Sequence, residues 1–146
     1  MGPMSPEDLA KAMTSALATM DEVRLVYLFG SRANGRARVE IDLDVAVVYR
    51  RELDGAARER ARRQVVAALT DALGALGERA DVVDLDAAGS AVAFRVIRDG
   101  RRLIARTERE RVAAEVRILR RYDDEAPRRA LYRRAAVEAA RRLGQP

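Results

Sequence analysis

The sequence predicts a single α/β (α+β) domain, and three observations predict it. Short apolar, β-prone runs at residues 23–29, 43–49 and 80–85 alternate with longer segments whose apolar residues recur at helical spacing. A length of 146 residues suffices to bury one hydrophobic core and is short for two. No repeat, low-complexity linker or composition break divides the chain, so one domain is expected over residues 1–146. Residues 1–4 read as a disordered or cloning-derived leader, and 107–146 as a C-terminal helical extension.

The elements follow in order. Ser5-Pro6-Glu7-Asp8 opens a helix, with Ser5 as N-cap, Pro6 at the first helical position and acids in the first turn; it should run to about residue 20. Residues 23–29 are a continuous apolar strand ended by Gly30, the pattern of a strand buried on both faces. The polar segment 31–38, punctuated by Gly35, suits a turn and a short helix. A second strand is expected at 43–49. From Asp54 to about Leu76, Val65, Leu69, Leu73 and Leu76 form one stripe opposite Arg58, Arg62 and Arg63. A third strand at 80–85 has Asp81 at its beginning. A helix over 88–98 follows, closed by Gly100, and 101–105 supplies a short edge strand. Thr107-x-x-Glu110 is a capping box opening a helix whose apolar face is Val112, Val116, Leu119 and Tyr122. A last helix runs through Tyr132, Ala136 and Leu143, and Tyr122 and Tyr132 read as core or interface packing.

Composition limits the chemistry. The chain has no Cys and no His, which removes thiol nucleophiles, imidazole and thiolate metal sites, and any Ser-His-Asp arrangement. A metal must then be held by oxygen, which favours magnesium or manganese. No run approaches a membrane span and no leader peptide is recognisable, so a cytoplasmic protein without a membrane partner is expected. The net charge of +5 is concentrated after residue 100, and every basic residue but Lys11 is arginine. A GC-rich coding sequence and a surface for an acidic or nucleic-acid partner both account for that bias.

Asp42 and Asp44 stand two apart at a strand start, so their side chains share a face, with Glu40 on the same face. Two carboxylates that close repel unless a cation lies between them, although aspartates at strand ends also serve as turn formers. Upstream, a strand ending in Gly30-Ser31 offers backbone N–H groups and a hydroxyl to phosphate. The same dipeptide is also a common turn. Arg32 and Arg36 lie beside it, either neutralising phosphate or simply solvated.

Leu28-Phe29-Gly30-Ser31-Arg32-Ala33-Asn34-Gly35 through Ile41-Asp42-Leu43-Asp44 resembles the signature of the minimal nucleotidyltransferases of the DNA polymerase β-like superfamily, in its Gly-Ser, ten-residue gap and Asp-x-Asp. Phe94-Arg95-Val96-Ile97-Arg98-Asp99-Gly100 and the later Arg121-Tyr122-Asp123 resemble the stand-alone antitoxin members. The resemblance implies a small mixed sheet flanked by helices and Mg2+ (or Mn2+) held by Asp42 and Asp44. It implies a third carboxylate from a later strand, a place Asp81 occupies, and a nucleotide phosphate site at Gly30, Ser31 and Arg32. Asp42, Asp44 and Asp81 are thus the expected catalytic and metal residues, and ATP the expected substrate. The implied partner is a HEPN ribonuclease toxin encoded by an adjacent gene, neutralised by AMP transfer to a tyrosine in a homo- or hetero-oligomer, without need for nucleic-acid binding. Ile41 stands where the family usually has serine. That departure supports an alternative, an antitoxin acting by binding alone.

Overall fold

A computed structural model describes residues 4–30 and 43–144. The chain runs α1 (Pro6–Leu17), β1 (Val23–Phe29), β2 (Asp44–Tyr49), α2 (Gly55–Leu73), α3 (Ala75–Glu78), β3 (Asp81–Asp84), α4 (Ser90–Asp99), β4 (Arg101–Ala105), α5 (Glu108–Asp124) and α6 (Ala126–Leu143). The four strands form one mixed sheet in the order β3-β2-β1-β4. β1 pairs antiparallel with β2 and β4, and β2 pairs parallel with β3 through the α2–α3 crossover. A small mixed sheet flanked by helices is therefore what the chain builds.

Side-chain alternation along the strands divides the core into two layers. On one face Val26, Leu28, Val45, Val47 and Tyr49 pack with Leu9, Met13 and Leu17 of α1 and Ala61, Val65 and Leu69 of α2. On the other, Leu25, Tyr27, Ala46 and Val48 pack with Ala93 and Val96 of α4 and Ala114 and Ile118 of α5. Both faces are covered, which is why the β1 and β2 sequences are continuously apolar.

Local signals set most boundaries. The Ser5 hydroxyl accepts from the Asp8 N–H at 3.1 Å, but α1 ends at Leu17, three residues before the expected stop. There Arg106 donates to the carbonyls of Leu17, Ala18, Met20 and Val23, at 2.8–3.1 Å. The long helix expected to Leu76 breaks at Gly74, where φ is +62°; α3 then folds back so tightly that a side chain at Gly77 would collide with the Leu69 carbonyl. Gly100 closes α4 with extended rather than left-handed backbone, and its lack of a Cβ lets it lie against the Val96 and Leu28 carbonyls.

The C-terminal helices depart most from expectation. The buried residues of α5 are Ala114 and Ile118, whereas Val112, Val116 and Leu119 are exposed. At 100° per residue they lie roughly 120–180° from the Ala114–Ile118 line. The core-facing side is fixed by polar groups instead: Glu110 grips Arg24 at 2.6 and 2.7 Å, Glu115 accepts from the Tyr27 hydroxyl, and Arg117 pairs with Asp86. Tyr122 belongs to neither line and stacks on Phe94 at 4.0 Å with Arg129 above it. Tyr132 is not core: it is 66% exposed, and α6 buries none of its residues. Among the described residues no helix is long and apolar enough to cross a membrane.

Candidate functional site

Where β1 ends and β2 and β3 begin, the sheet brings three expected residues together. Gly30 follows β1 with φ +75°, and Asp44 opens β2 opposite Phe29 in the register. A Cβ placed on Gly30 would stand 2.5 Å from Asp44 Oδ2, so the Asp44 carboxylate occupies the space a side chain at Gly30 would need. The glycine serves two purposes at once: a left-handed backbone that other residues resist, and room for the neighbouring carboxylate.

Asp81 is the register partner of Asp44 in the parallel β2–β3 pair, and its N–H donates to the Leu43 carbonyl at 2.8 Å. Paired residues on neighbouring strands project from the same face at about 4.8 Å strand spacing. The two carboxylates therefore share the α4–α5 face of the sheet. The other acids of this segment are occupied. Asp84 pairs with Arg58 at 2.9 Å and also accepts from the Asp86 N–H, and Asp86 pairs with Arg117 and Arg51. Asp81 is exposed and has no ion pair among the described residues, so the caps and bridges of this segment are made by its neighbours.

Ser31, Arg32 and Asp42, the remaining expected site residues, lie outside the described residues, as do Arg36, Glu40, Ile41 and the turn and short helix expected at 31–38. Among the described residues no group of three carboxylates is close enough to hold a metal ion. Asp44 and Asp81 supply two hard oxygen donors on one face. That donor chemistry fits a divalent cation of the magnesium type, with Asp42, two residues before Asp44, as the third donor the sequence offers.

A cavity of about 360 Å³ adjoins this corner, lined by Phe29, Gly30, Val92, Arg95, Val96, Asp99 and Gly100, within the range of small-ligand sites. Its walls are apolar on the Phe29, Val92 and Val96 side. Asp99 is tied to Arg98 at 2.8 Å, and that guanidinium holds its carboxyl below the usual carboxylate range. Arg95 carries no ion pair among the described residues and offers a cation at the cavity edge. Sequence reasoning quoted Arg95 and Asp99 only as part of a resemblance. Their four-residue spacing on one face of α4, just before Gly100, was the available signal.

The chain is similar to known proteins over most of its length. Residues 11–109 match the family model described as Polymerase beta, Nucleotidyltransferase. Among solved structures, a crystal structure of a toxin–antitoxin with AMP-PNP superposes at TM-score 0.67 and 26% identity, covering 87% of this chain and 98% of that one. A tri-AMPylated Shewanella oneidensis HEPN toxin in complex with MNT antitoxin matches at TM-score 0.61 and 24% identity, over 90% and 98% of the two chains. The toxin–antitoxin MntA-HepT gives TM-score 0.59 and 24% identity, over 88% and 97%. No curated protein matches the chain. With the glycine turn, the paired carboxylates and the mixed sheet in place, the chain belongs to the polymerase beta nucleotidyltransferase family.

Proposed function

We propose that this protein is an antitoxin that transfers AMP from ATP to a tyrosine of a partner HEPN ribonuclease toxin, in the cytoplasm and with magnesium bound. The observation that carries this reading is the Gly30–Asp44 contact beside Asp81: a carboxylate held against a left-handed glycine at the mouth of a cavity sized for a small ligand. Its similarity to a toxin–antitoxin structure with AMP-PNP supports the choice of nucleotide.

Asp42, Asp44 and Asp81 would hold the cation, which when bound neutralises triphosphate charge and stabilises the attacking and leaving oxygens. Gly30, Ser31 and Arg32 receive the phosphates, Gly30 by close backbone approach and Ser31 by its hydroxyl. The toxin tyrosine oxygen attacks the α-phosphorus, its bond to phosphorus forms as the bond to pyrophosphate breaks, and pyrophosphate departs. A tyrosine hydroxyl, with an ordinary pKa near 10, needs its proton removed at neutral pH. Without His in the chain a carboxylate is the available acceptor, and Asp81 stands exposed on the correct face.

The test is intact-mass analysis of the HEPN protein encoded beside this gene after incubation with this protein, ATP and magnesium. Added AMP units are expected, falling at least 100-fold in rate with Asp44→Asn or Asp81→Asn. A wild type that silences the ribonuclease without any AMP adduct would establish the binding-only alternative that Ile41 favours.

A further inference from the structure

Asp99 stands where helix electrostatics disfavour it. It is the last residue of α4, and an acid there meets the negative end of the helix dipole. Its side chain is 54% exposed, so burial does not explain it either. Arg98 grips both carboxylate oxygens, Nε to Oδ1 at 3.0 Å and a terminal nitrogen to Oδ2 at 2.8 Å. Arg98 is itself steadied from behind: it lies over the Phe94 ring at 5.4 Å, and Phe94 stacks on Tyr122 at 4.0 Å. The clamp orients the carboxylate and offsets its charge, which makes it a poor cation ligand. Each oxygen still keeps a lone pair for one more hydrogen bond.

The order of groups along the cavity indicates what fills it. Gly100 lies against the Leu28 carbonyl, so the end of α4 sits level with the end of β1, where Gly30 and Asp44 meet. Asp99 is the last α4 residue before that corner and lines the cavity with Gly30. Arg95 is about 6 Å back along the helix and Val92 about 10 Å, with Val96 and Phe29 adding apolar wall. From the Gly30 corner the cavity thus offers a clamped carboxylate, then a guanidinium and apolar surface. A nucleoside triphosphate has the matching order: phosphates, then a sugar with two hydroxyl donors, then a flat base with acceptor nitrogens. The acceptor tyrosine does not match, because a phenol oxygen losing its proton is disfavoured beside a carboxylate.

We infer that Asp99 is the residue that selects ribose: its carboxylate accepts hydrogen bonds from the 2′- and 3′-hydroxyls of the nucleotide, with the base against Phe29, Val92 and Val96 and within reach of Arg95. This rests on the reading that the site takes ATP, and adds which part of ATP the cavity holds. A nucleotide lacking those hydroxyls leaves the carboxylate covered and unpaired, which is how a polar site rejects an analogue.

Isothermal titration calorimetry measures binding of ATP and of 2′,3′-dideoxy-ATP to the full chain with magnesium, in the absence of the HEPN protein. Wild type should bind ATP about tenfold or more tighter, the worth of one hydrogen bond to a charged group. In Asp99→Ala the two nucleotides should bind alike, through weaker ATP binding. Removing an acid from a helix C-terminus relieves the dipole, so the variant should fold, and circular dichroism with Tm checks that it does. Asp99→Asn, which keeps the size and one acceptor oxygen, should retain part of the preference. A wild type that binds both nucleotides equally overturns the assignment without any variant, and so does an Asp99→Ala that keeps the full preference. An Asp99→Ala that binds nucleotide as wild type but has a raised KM for the HEPN protein places the acceptor in the cavity and equally overturns it. Failure of the wild type to bind any nucleoside triphosphate instead overturns the transferase reading beneath it.

Discussion

Replacing Gly30 with alanine separates its two contributions. At φ +75° an alanine costs roughly 1–2 kcal/mol relative to glycine. At about 2–4 °C per kcal/mol for a domain of this size, Tm should fall by ~2–8 °C. The new Cβ would lie 2.5 Å from Asp44 Oδ2, against an ordinary carbon–oxygen contact near 3.4 Å, so the carboxylate must retreat by about 1 Å. A displacement of that size at reacting groups costs on the order of 100-fold in rate. The assay pairs thermal unfolding with the rate of AMP transfer to the toxin. In an Asp44→Asn background, Gly30→Ala should lower Tm but cause no further loss of transfer, because the carboxylate it displaces is already gone. If Gly30→Ala keeps transfer within threefold of wild type, the glycine is not holding Asp44 in place and the site geometry argued above is wrong.

Other substitutions probe the surroundings. Arg95→Ala should raise the KM for ATP about tenfold, the size of one charge-assisted contact, with kcat and Tm little changed; an unaltered KM would remove Arg95 from the nucleotide site. Arg106→Ala should destabilise by ~2–4 kcal/mol, because four carbonyls lose a charged donor that several backbone turns share; urea denaturation measures it, and Arg106→Lys should recover only part. Glu110 has its carboxyl pulled below the ordinary range by its hydrogen bonds to Arg24. A lowered folded-state value contributes stability above the unfolded pKa, near 4.3, and that contribution disappears as pH falls through the folded value. Glu110→Gln should therefore be less stable than wild type at pH 7, and the difference should close below about pH 4; a constant gap from pH 7 to 3 would count against it.

The sequence was most legible where backbone chemistry is local. β1 begins and ends where its apolar run does, Ser5 and Thr107 cap the helices they precede, and Gly30 marks the turn into the site. Gly74 was passed over because a glycine inside an apolar stripe looks tolerable, whereas here its positive φ turns the chain into α3. The α5 face was misread for a different reason. Periodicity finds an apolar stripe but says nothing of what covers it, and the inward side was chosen by Glu110, Glu115, Arg117 and Arg121 reaching partners on Arg24, Tyr27, Asp86 and Leu85. Of the expected site, Gly30, Asp44 and Asp81 meet at one corner. The family resemblance implied that meeting, and spacing alone did not, because only the parallel β2–β3 register makes Asp81, rather than Asp84 or Asp86, the neighbour of Asp44.

That register has a consequence for synthesis. β1 and β2 can pair early, but Asp81 reaches Asp44 only after the whole α2–α3 crossover has left the ribosome. At about 5–20 residues per second, the nascent chain spends several seconds with one carboxylate in position and its neighbour absent. A chain truncated within α2 would carry Gly30 and Asp44 but no β3, and so would lack the second carboxylate of this corner. Completion of the crossover is thus the step that brings the two carboxylates together.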